Sequence, residues 1–267
     1  MTIGNLCFEV VESQNLDVAA ISAVARGEII AVRFPNWCFE QTRSHVLTKI
    51  ASNPGVAYDV EPGFKKIVGG SVYDAADKPE KLDEYLNSVP RWFAELRNVF
   101  GPYKSPMEQL LLELQQRWAP GCDLQKFKQR PAFAGLLRAL EDGGEARPHQ
   151  DMTRWDIPDV VEAHSFITQL SAVCYLSCAE IGGLLQLWGF GFDNKLEYDL
   201  HRVPGDYGID RKFIGEPAVV LKPRPGEMIV FNAQKIHAVT QTLCGKRSSQ
   251  STFVAFRGEN KNLSIFS

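Results

Sequence analysis

From about residue 130 the chain breaks into short apolar or alternating runs separated by Gly, Pro and Asp: "FAGLLRAL", "QLSAVCYLS", "GLLQLWGF", "PAVVLKP", "EMIVFNA" and "STFVAFR". This texture limits the possible folds more than any other feature. Each run is short, and turn residues bound it, so it reads as a strand. Many short strands with turn signals between them build a sandwich or a barrel. In "LLQLW", Leu185 and Leu187 fall on one face of such a strand and Gln186 and Trp188 on the other; either face suits the interior. The "EIGG" at 180–183 reads as a β-turn.

The first half reads mainly helical. "LDVAAISAVARG" has helical spacing and stops at Gly27, and "EIIAVRF" is a short strand ended by Pro35. "PNWCFEQTRSHVLTKIA", "PEKLDEYLNSVPRWFAELRNVF" and "SPMEQLLLELQQRWA" read as three further helices, with Pro90 breaking or kinking the second of them. Between them, "PGFKKIVGGSVYDAADKP" is rich in Gly, Lys and Asp and reads as a flap or a plain surface loop. No internal repeat and no low-complexity linker divides the chain. The expectation is one catalytic domain over 1–267, mainly β with flanking α-helices. Residues 1–130 form a mostly helical support plus the flap, and 131–267 hold the strand core.

Composition narrows the function. The 267 residues are 45% hydrophobic and 23% charged, ordinary for a globular protein with a sizeable core. A net charge of −3 gives no general electrostatic reason to bind nucleic acid. Cys7, Cys38, Cys122, Cys174, Cys178 and Cys244 are scattered without a C-x-x-C, so no zinc spacing is present. The N-terminus lacks the pattern of a signal peptide, and no run of about 18 apolar residues spans a membrane. A reduced, cytoplasmic protein is expected.

The chemistry concentrates at "GEARPHQDMTRW", residues 144–155, which follows a Gly-Gly turn. On an extended strand, His149 and Asp151 lie on one face. An H-x-D alone is weak, roughly a one-in-four accident in a chain of this composition. Further on, "KPRPGEMIVFNAQKIHAV" places His237 after a strand that follows a Pro-Gly turn, and "HAVTQTLCGKR" brings Arg247 shortly behind it. Two imidazoles and one carboxylate on one face of a metal, with other positions open, is the donor set of non-haem Fe(II) oxygenases. A 2-oxoglutarate chelated to that iron through its keto end leaves a distal carboxylate, which a guanidinium can hold bidentately.

The stretches "LLRALEDGGEARPHQD", "QLSAVCYLSCAEIGGLLQLW" and "LKPRPGEMIVFNAQKIHAVTQTLCGKRSSQSTFVAF" resemble the Fe(II)/2-oxoglutarate-dependent oxygenases. The similar branch acts on small molecules. It includes aliphatic halogenases of indole-alkaloid pathways and hydroxylases of free or N-acylated amino acids. The resemblance covers roughly residues 132–256. It implies a double-stranded β-helix (jelly-roll, cupin-like) core with iron ligands His149, Asp151 and His237. Arg247 becomes the clamp on 2-oxoglutarate, with Arg138 a second arginine facing the site. The halogenases replace the carboxylate ligand with a small residue; Asp151 is present here, as in the hydroxylases.

The resemblance thus implies hydroxylation of an unactivated C–H bond with Fe(II), 2-oxoglutarate and dioxygen. The substrate would be a small molecule, an amino acid either free, N-acylated or tethered to a carrier protein. Desaturation, cyclisation or epoxidation is the alternative outcome on the same iron, and a non-catalytic cupin-like binding module is the alternative class. Arg154, Lys65 and Lys66 are candidate partners for a substrate carboxylate, or solvated charges. Trp155 is a candidate pocket wall or a core aromatic. His45, His164 and His201 have no partner at metal spacing and read as structural.

Overall fold

The computed structural model describes residues 8–58, 61–76 and 78–267. The first part supplies β1 (Val10–Glu12), α1 (Val18–Arg26), β2 (Ala31–Phe34), α2 (Glu40–Ile50), β3 (Val56–Tyr58) and β4 (Glu61–Val68). Two long helices follow, α3 (Pro79–Phe100) and α4 (Pro106–Arg117). The short strands β5 (Cys122–Leu124), β6 (Lys126–Phe127) and β7 (Arg130–Pro131) lead into β8 (Leu136–Leu140) and β9 (Ala146–His149). Then come α5 (Thr153–Asp156), β10 (Thr168–Ser177), β11 (Ile181–Gly182), β12 (Leu185–Leu187), α6 (Lys195–Leu200) and β13 (Val219–Leu221). The last strands are β14 (Met228–Asn232), β15 (His237–Val239), β16 (Thr242–Cys244), β17 (Arg247–Phe256) and β18 (Leu263–Phe266).

Two sheets face each other. The major sheet runs β1-β2-β14-β10-β17-β8-β4-β3, and the minor sheet runs β13-β12-β15-β9. Side-chain alternation along β10 assigns its two faces. Ala172, Cys174 and Leu176 pack outward into a core shared with α1, α2, α3 and α4. Val173 and Tyr175 pack inward against Leu185 and Leu187 of the minor sheet. That answers the question left open for β12. Its leucines face the interior, while Trp188 is buried in a separate small cluster with Ile209 and Ile214. The jelly-roll reading therefore holds, with the helices on the outer face of the major sheet.

Three expectations for the first half need correction. The first part of the segment read as a flap is β4, paired with β8 (Lys66 opposite Arg138, Lys65 opposite Ala139), and a short 3-10 turn follows at Val72–Ala75. Its Gly and Lys content hid a strand whose neighbours on both sides satisfy its backbone. Residues 1–130 are mostly helical, and the expected strand β2 joins β1, β3 and β4 in extending the major sheet at both edges. Glu227, almost fully buried at the entry to β14, accepts from Arg33 Nε (3.0 Å) and Nη2 (2.7 Å), which fixes the β2 edge. The expected start of a helix at Pro35 moves to Glu40, because Trp37 and Cys38 are buried ahead of it. Pro90 neither ends nor splits α3; it sits on an exposed face while Tyr85, Trp92 and Phe93 pack around Phe133 or one another. Cys7 lies outside the described residues; Cys174 is buried and Cys178 half-buried.

Candidate metal centre

The turn between β8 and β9 carries the chain from the major sheet to the minor one. Gly143 takes a positive φ of 86°, and Gly144 lies so close to Gly63 of β4 that a Cβ there would run into the Gly63 carbonyl. Gly143 N–H donates to Thr242 O (2.8 Å), and Thr242 N–H donates back to Gly144 O (2.9 Å). This crossing delivers β9 beside β15, with His149 directly opposite His237. Asp151 follows on a turn held by its own N–H, which donates to Ala233 O at 2.8 Å.

One donor atom from each of His149, Asp151 and His237 lies within 4.8 Å of the others. His149 Nε2 is 3.7 Å from Asp151 Oδ1, and His237 Nε2 is 3.3 Å from Asp151 Oδ2. Ligands in adjacent positions on one ion, at bonds of about 2.1 Å, stand about 3 Å apart, so the three atoms need only small shifts to share a metal. The tautomers also fit. His149 Nδ1 is 2.6 Å from the Arg147 carbonyl and His237 Nδ1 is 3.0 Å from the Lys235 carbonyl. With Nδ1–H donating to a carbonyl, each Nε2 carries the bare lone pair a metal requires. Burial, with the neighbouring His237, pushes the His149 imidazole down to about 4, so it is neutral at ordinary pH. Burial pushes the Asp151 carboxyl up, but the two histidines outweigh it and hold the group below its usual range. The set is therefore two imidazoles, each presenting Nε2, and one carboxylate.

A second polar region lies between the sheets. Arg247, at the start of β17, is only 5% exposed. Its guanidinium stands over the Tyr175 ring at 4.9 Å, yet its Nε and Nη1 have no hydrogen-bond partner among the described residues. Tyr175 Oη and Thr242 Oγ1 are likewise buried and unpartnered. Burial raises the Tyr175 phenol to about 12, which keeps its O–H a donor. Unpaired buried donors are costly, and here they include a cation. A carboxylate would satisfy them together, so they fit the distal end of a dicarboxylic co-substrate. From Arg247 to Thr252, β17 is a wholly buried polar run, an unusual composition for a central strand.

Arg138 of β8 stands across from Ser249. Its Nη2 donates to Ser251 Oγ (2.8 Å), its guanidinium lies over Phe64 at 5.1 Å, and its Nε is buried without a partner. Its charge reaches both His149 and Asp151. Lys65 and Lys66 are engaged elsewhere, with Glu141 (2.6 Å) and Asp74 (2.9 Å). Arg154 lines a different cavity, of about 440 Å³, with Gly27, Trp188 and Phe192, and none of the three metal-donor residues lines that cavity. Trp155 packs on Tyr198 at 5.6 Å, and Tyr198 in turn feels the Asp151 charge. His164 and His201 bond local carbonyls, and His45 meets Tyr103 edge-on.

Sequence reasoning missed Tyr175, Thr242, Tyr198 and Tyr207. Tyr175 had a signal: a phenol inside the apolar run 172–176 needs a partner, and none was evident. Tyr198 and Tyr207 lie in a segment without periodicity. Tyr207 meets the His149 ring edge-on at 5.6 Å.

Residues 134–255 match the profile of the 2OG-Fe(II) oxygenase superfamily. The chain is 23% identical over 245 residues to L-gamma-glutamyl-L-propargylglycine hydroxylase of Streptantibioticus cattleyicolor, covering 90% of this chain and 89% of that protein. It superposes on an N-substituted L-amino acid dioxygenase of Burkholderia ambifaria, solved in complex with alpha-KG, with a TM-score of 0.60 at 16% identity, covering 94% of this chain and 91% of that one. HygX from Streptomyces hygroscopicus, solved with nickel and 2-oxoglutarate, gives a TM-score of 0.50 at 10% identity, covering 90% and 87%. At these identities the structural likeness is one of fold.

Proposed function

Taking the chain as the Fe(II)/2-oxoglutarate-dependent oxygenase that its fold, donor set and superfamily match make it, we propose that it hydroxylates an unactivated C–H bond of an N-substituted amino acid. His149, Asp151 and His237 hold the iron, Arg247 holds the distal carboxylate of 2-oxoglutarate, and Arg138 serves the metal-side end of the bound ligands. The observation that carries the co-substrate reading is the buried, unpartnered Arg247 guanidinium beside the unpartnered hydroxyls of Tyr175 and Thr242. The support for the substrate is the pair of relatives named above, one a hydroxylase of a γ-glutamyl amino acid and the other a dioxygenase of N-substituted amino acids.

Bound iron supplies the coupling of 2-oxoglutarate decarboxylation to oxygen insertion. The chain's own share is position and dryness. The triad would hold the metal through two imidazoles and one carboxylate and leave its remaining positions to ligands. Asp151 offsets metal charge. The Lys235 and Arg147 carbonyls lock the two imidazoles in orientation. Trp155 and Tyr198, packed on one another, would wall the outer side and keep water from a reactive centre.

The test has two stages. Anaerobic addition of Fe(II) and 2-oxoglutarate should give a weak visible charge-transfer band. Succinate release is then screened over free amino acids, N-acyl amino acids, γ-glutamyl dipeptides and a carrier-tethered amino acid, with products read by mass. The expected result is succinate release driven by an N-substituted amino acid, with a product heavier by one oxygen atom. A product lighter by two hydrogens would redirect the reading to desaturation. No band and no turnover would leave a binding module.

A further inference from the structure

The geometry points to Arg147 as a positioning residue that couples the outer wall of the site to the His149 imidazole. The inference rests on the triad being the metal site. Among the described residues β9 is an edge strand of the minor sheet, paired only with β15. Its other edge is covered by the segment that joins β12 to β13. Arg147 N–H donates to Tyr207 Oη (2.9 Å), and Ile209 N–H donates to Pro148 O (2.7 Å). The segment thus stands in for a missing neighbouring strand.

The Arg147 side chain fastens the same segment. Its Nη1 is ion-paired with Asp206, which is buried, and its Nε faces Glu145 (3.4 Å) and Glu61 (3.8 Å). Asp206 is itself built into the turn, where its Oδ1 accepts from Gly208 N–H at 2.8 Å. A Cβ on Gly208 would stand 2.6 Å from Arg147 Cβ, so the turn lies directly on the arginine stem. The backbone carbonyl of this one residue accepts the His149 Nδ1–H at 2.6 Å. At the other end, Tyr198 Oη–H donates to Tyr207 O (3.0 Å), and Tyr198 packs on Trp155. The chain of contacts therefore runs from the outer wall through Tyr207 and Arg147 to the imidazole. A shift of the segment moves the carbonyl that fixes the ring, and a fixed ring holds the segment closed.

The experiment measures Mn(II) affinity and hydrogen exchange without turnover. Wild-type protein should bind Mn(II), and binding should slow exchange across residues 198–210; absence of Mn(II) binding would defeat the triad reading itself. Arg147→Gln keeps the carbonyl but loses the Asp206 pair that holds it in place, so it should weaken Mn(II) by no more than roughly the ten- to a hundred-fold that loss of the orienting group itself costs, and should abolish the slowing at 198–210. Asp206→Asn should act in the same direction, and the double variant should be no worse than Arg147→Gln. Arg147→Lys should restore part of the affinity. If Arg147→Gln fails to fold, Tyr207→Phe and Asp206→Asn carry the test. Wild-type Mn(II) affinity and a wild-type exchange response in the folded variants would overturn the coupling, whatever their thermal stability.

Discussion

A guanidinium with two nitrogens unsatisfied inside a protein destabilises the fold that holds it. Arg247 is such a group, and its neighbours Tyr175 and Thr242 add hydroxyls in the same condition. Among the described residues no hydrogen bond accounts for keeping them, so their arrangement fits a ligand that arrives later. Arg247→Met removes the buried charge while keeping most of the apolar stem. The metal-free, ligand-free variant should melt at or above the wild-type temperature, since an unpaired buried cation has been replaced by a side chain that needs no partner. Its 2-oxoglutarate affinity should fall by about 2–5 kcal/mol, as for truncating one partner of a buried charge-assisted pair. Thermal melting and a competition titration check the two halves. A large loss of stability with unchanged 2-oxoglutarate affinity would make Arg247 structural.

Among the elements, the crossing from β8 to β9 sets the centre. Gly144 packs against Gly63 backbone to backbone, so Gly144→Ala should cost about 1–3 kcal/mol through overpacking and weaken Mn(II) binding together with stability. Gly143→Ala meets no atom within 4 Å but must hold a φ of 86°, so its loss is conformational. Denaturant unfolding of the two variants separates clash from backbone strain. Much here was legible beforehand. The strands around His149, His237 and Arg247 announce themselves by apolar runs between turn residues, and α1, α3 and α4 by helical spacing. What stayed hidden has physical causes. β4 lacks alternation because both its faces are used, Lys66 and Phe64 inward and Lys65 against Glu141. The unpartnered Tyr175 is brought beside Arg247 by the register of β10 on β17, strands far apart in sequence, which no local pattern encodes. Pro90 survives inside α3 because tertiary packing outweighs its local cost.

At the scale of the whole molecule, the centre sets how stability answers to pH. The folded His149 pKa is about 4 against 6.5 for an ordinary histidine. Between those values the unfolded chain binds a proton that the folded form does not. The metal-free protein should therefore keep this contribution above pH 6.5 and lose it as pH falls toward 4, at up to about 1.4 kcal/mol per pH unit. Asp151, held low in the fold, should extend the loss to still lower pH. Urea unfolding at several pH values, on wild type and His149→Gln, tests this; an equal slope in both would place the acid sensitivity elsewhere. The same architecture separates what must be kept from what can be exchanged. The segment joining β12 to β13 leaves and re-enters the minor sheet at adjacent antiparallel strands, so its length does not disturb the register of either. Arg247 and His237 lie outside it, while Tyr198 and Tyr207 travel with it. A foreign segment grafted here could carry a new preference for what sits above the metal, provided it also brings a carboxylate to meet Arg147. Transplantation at this point is thus a matter of one loop and one compensating charge, and diversification of such a scaffold has a ready-made seam along which to proceed.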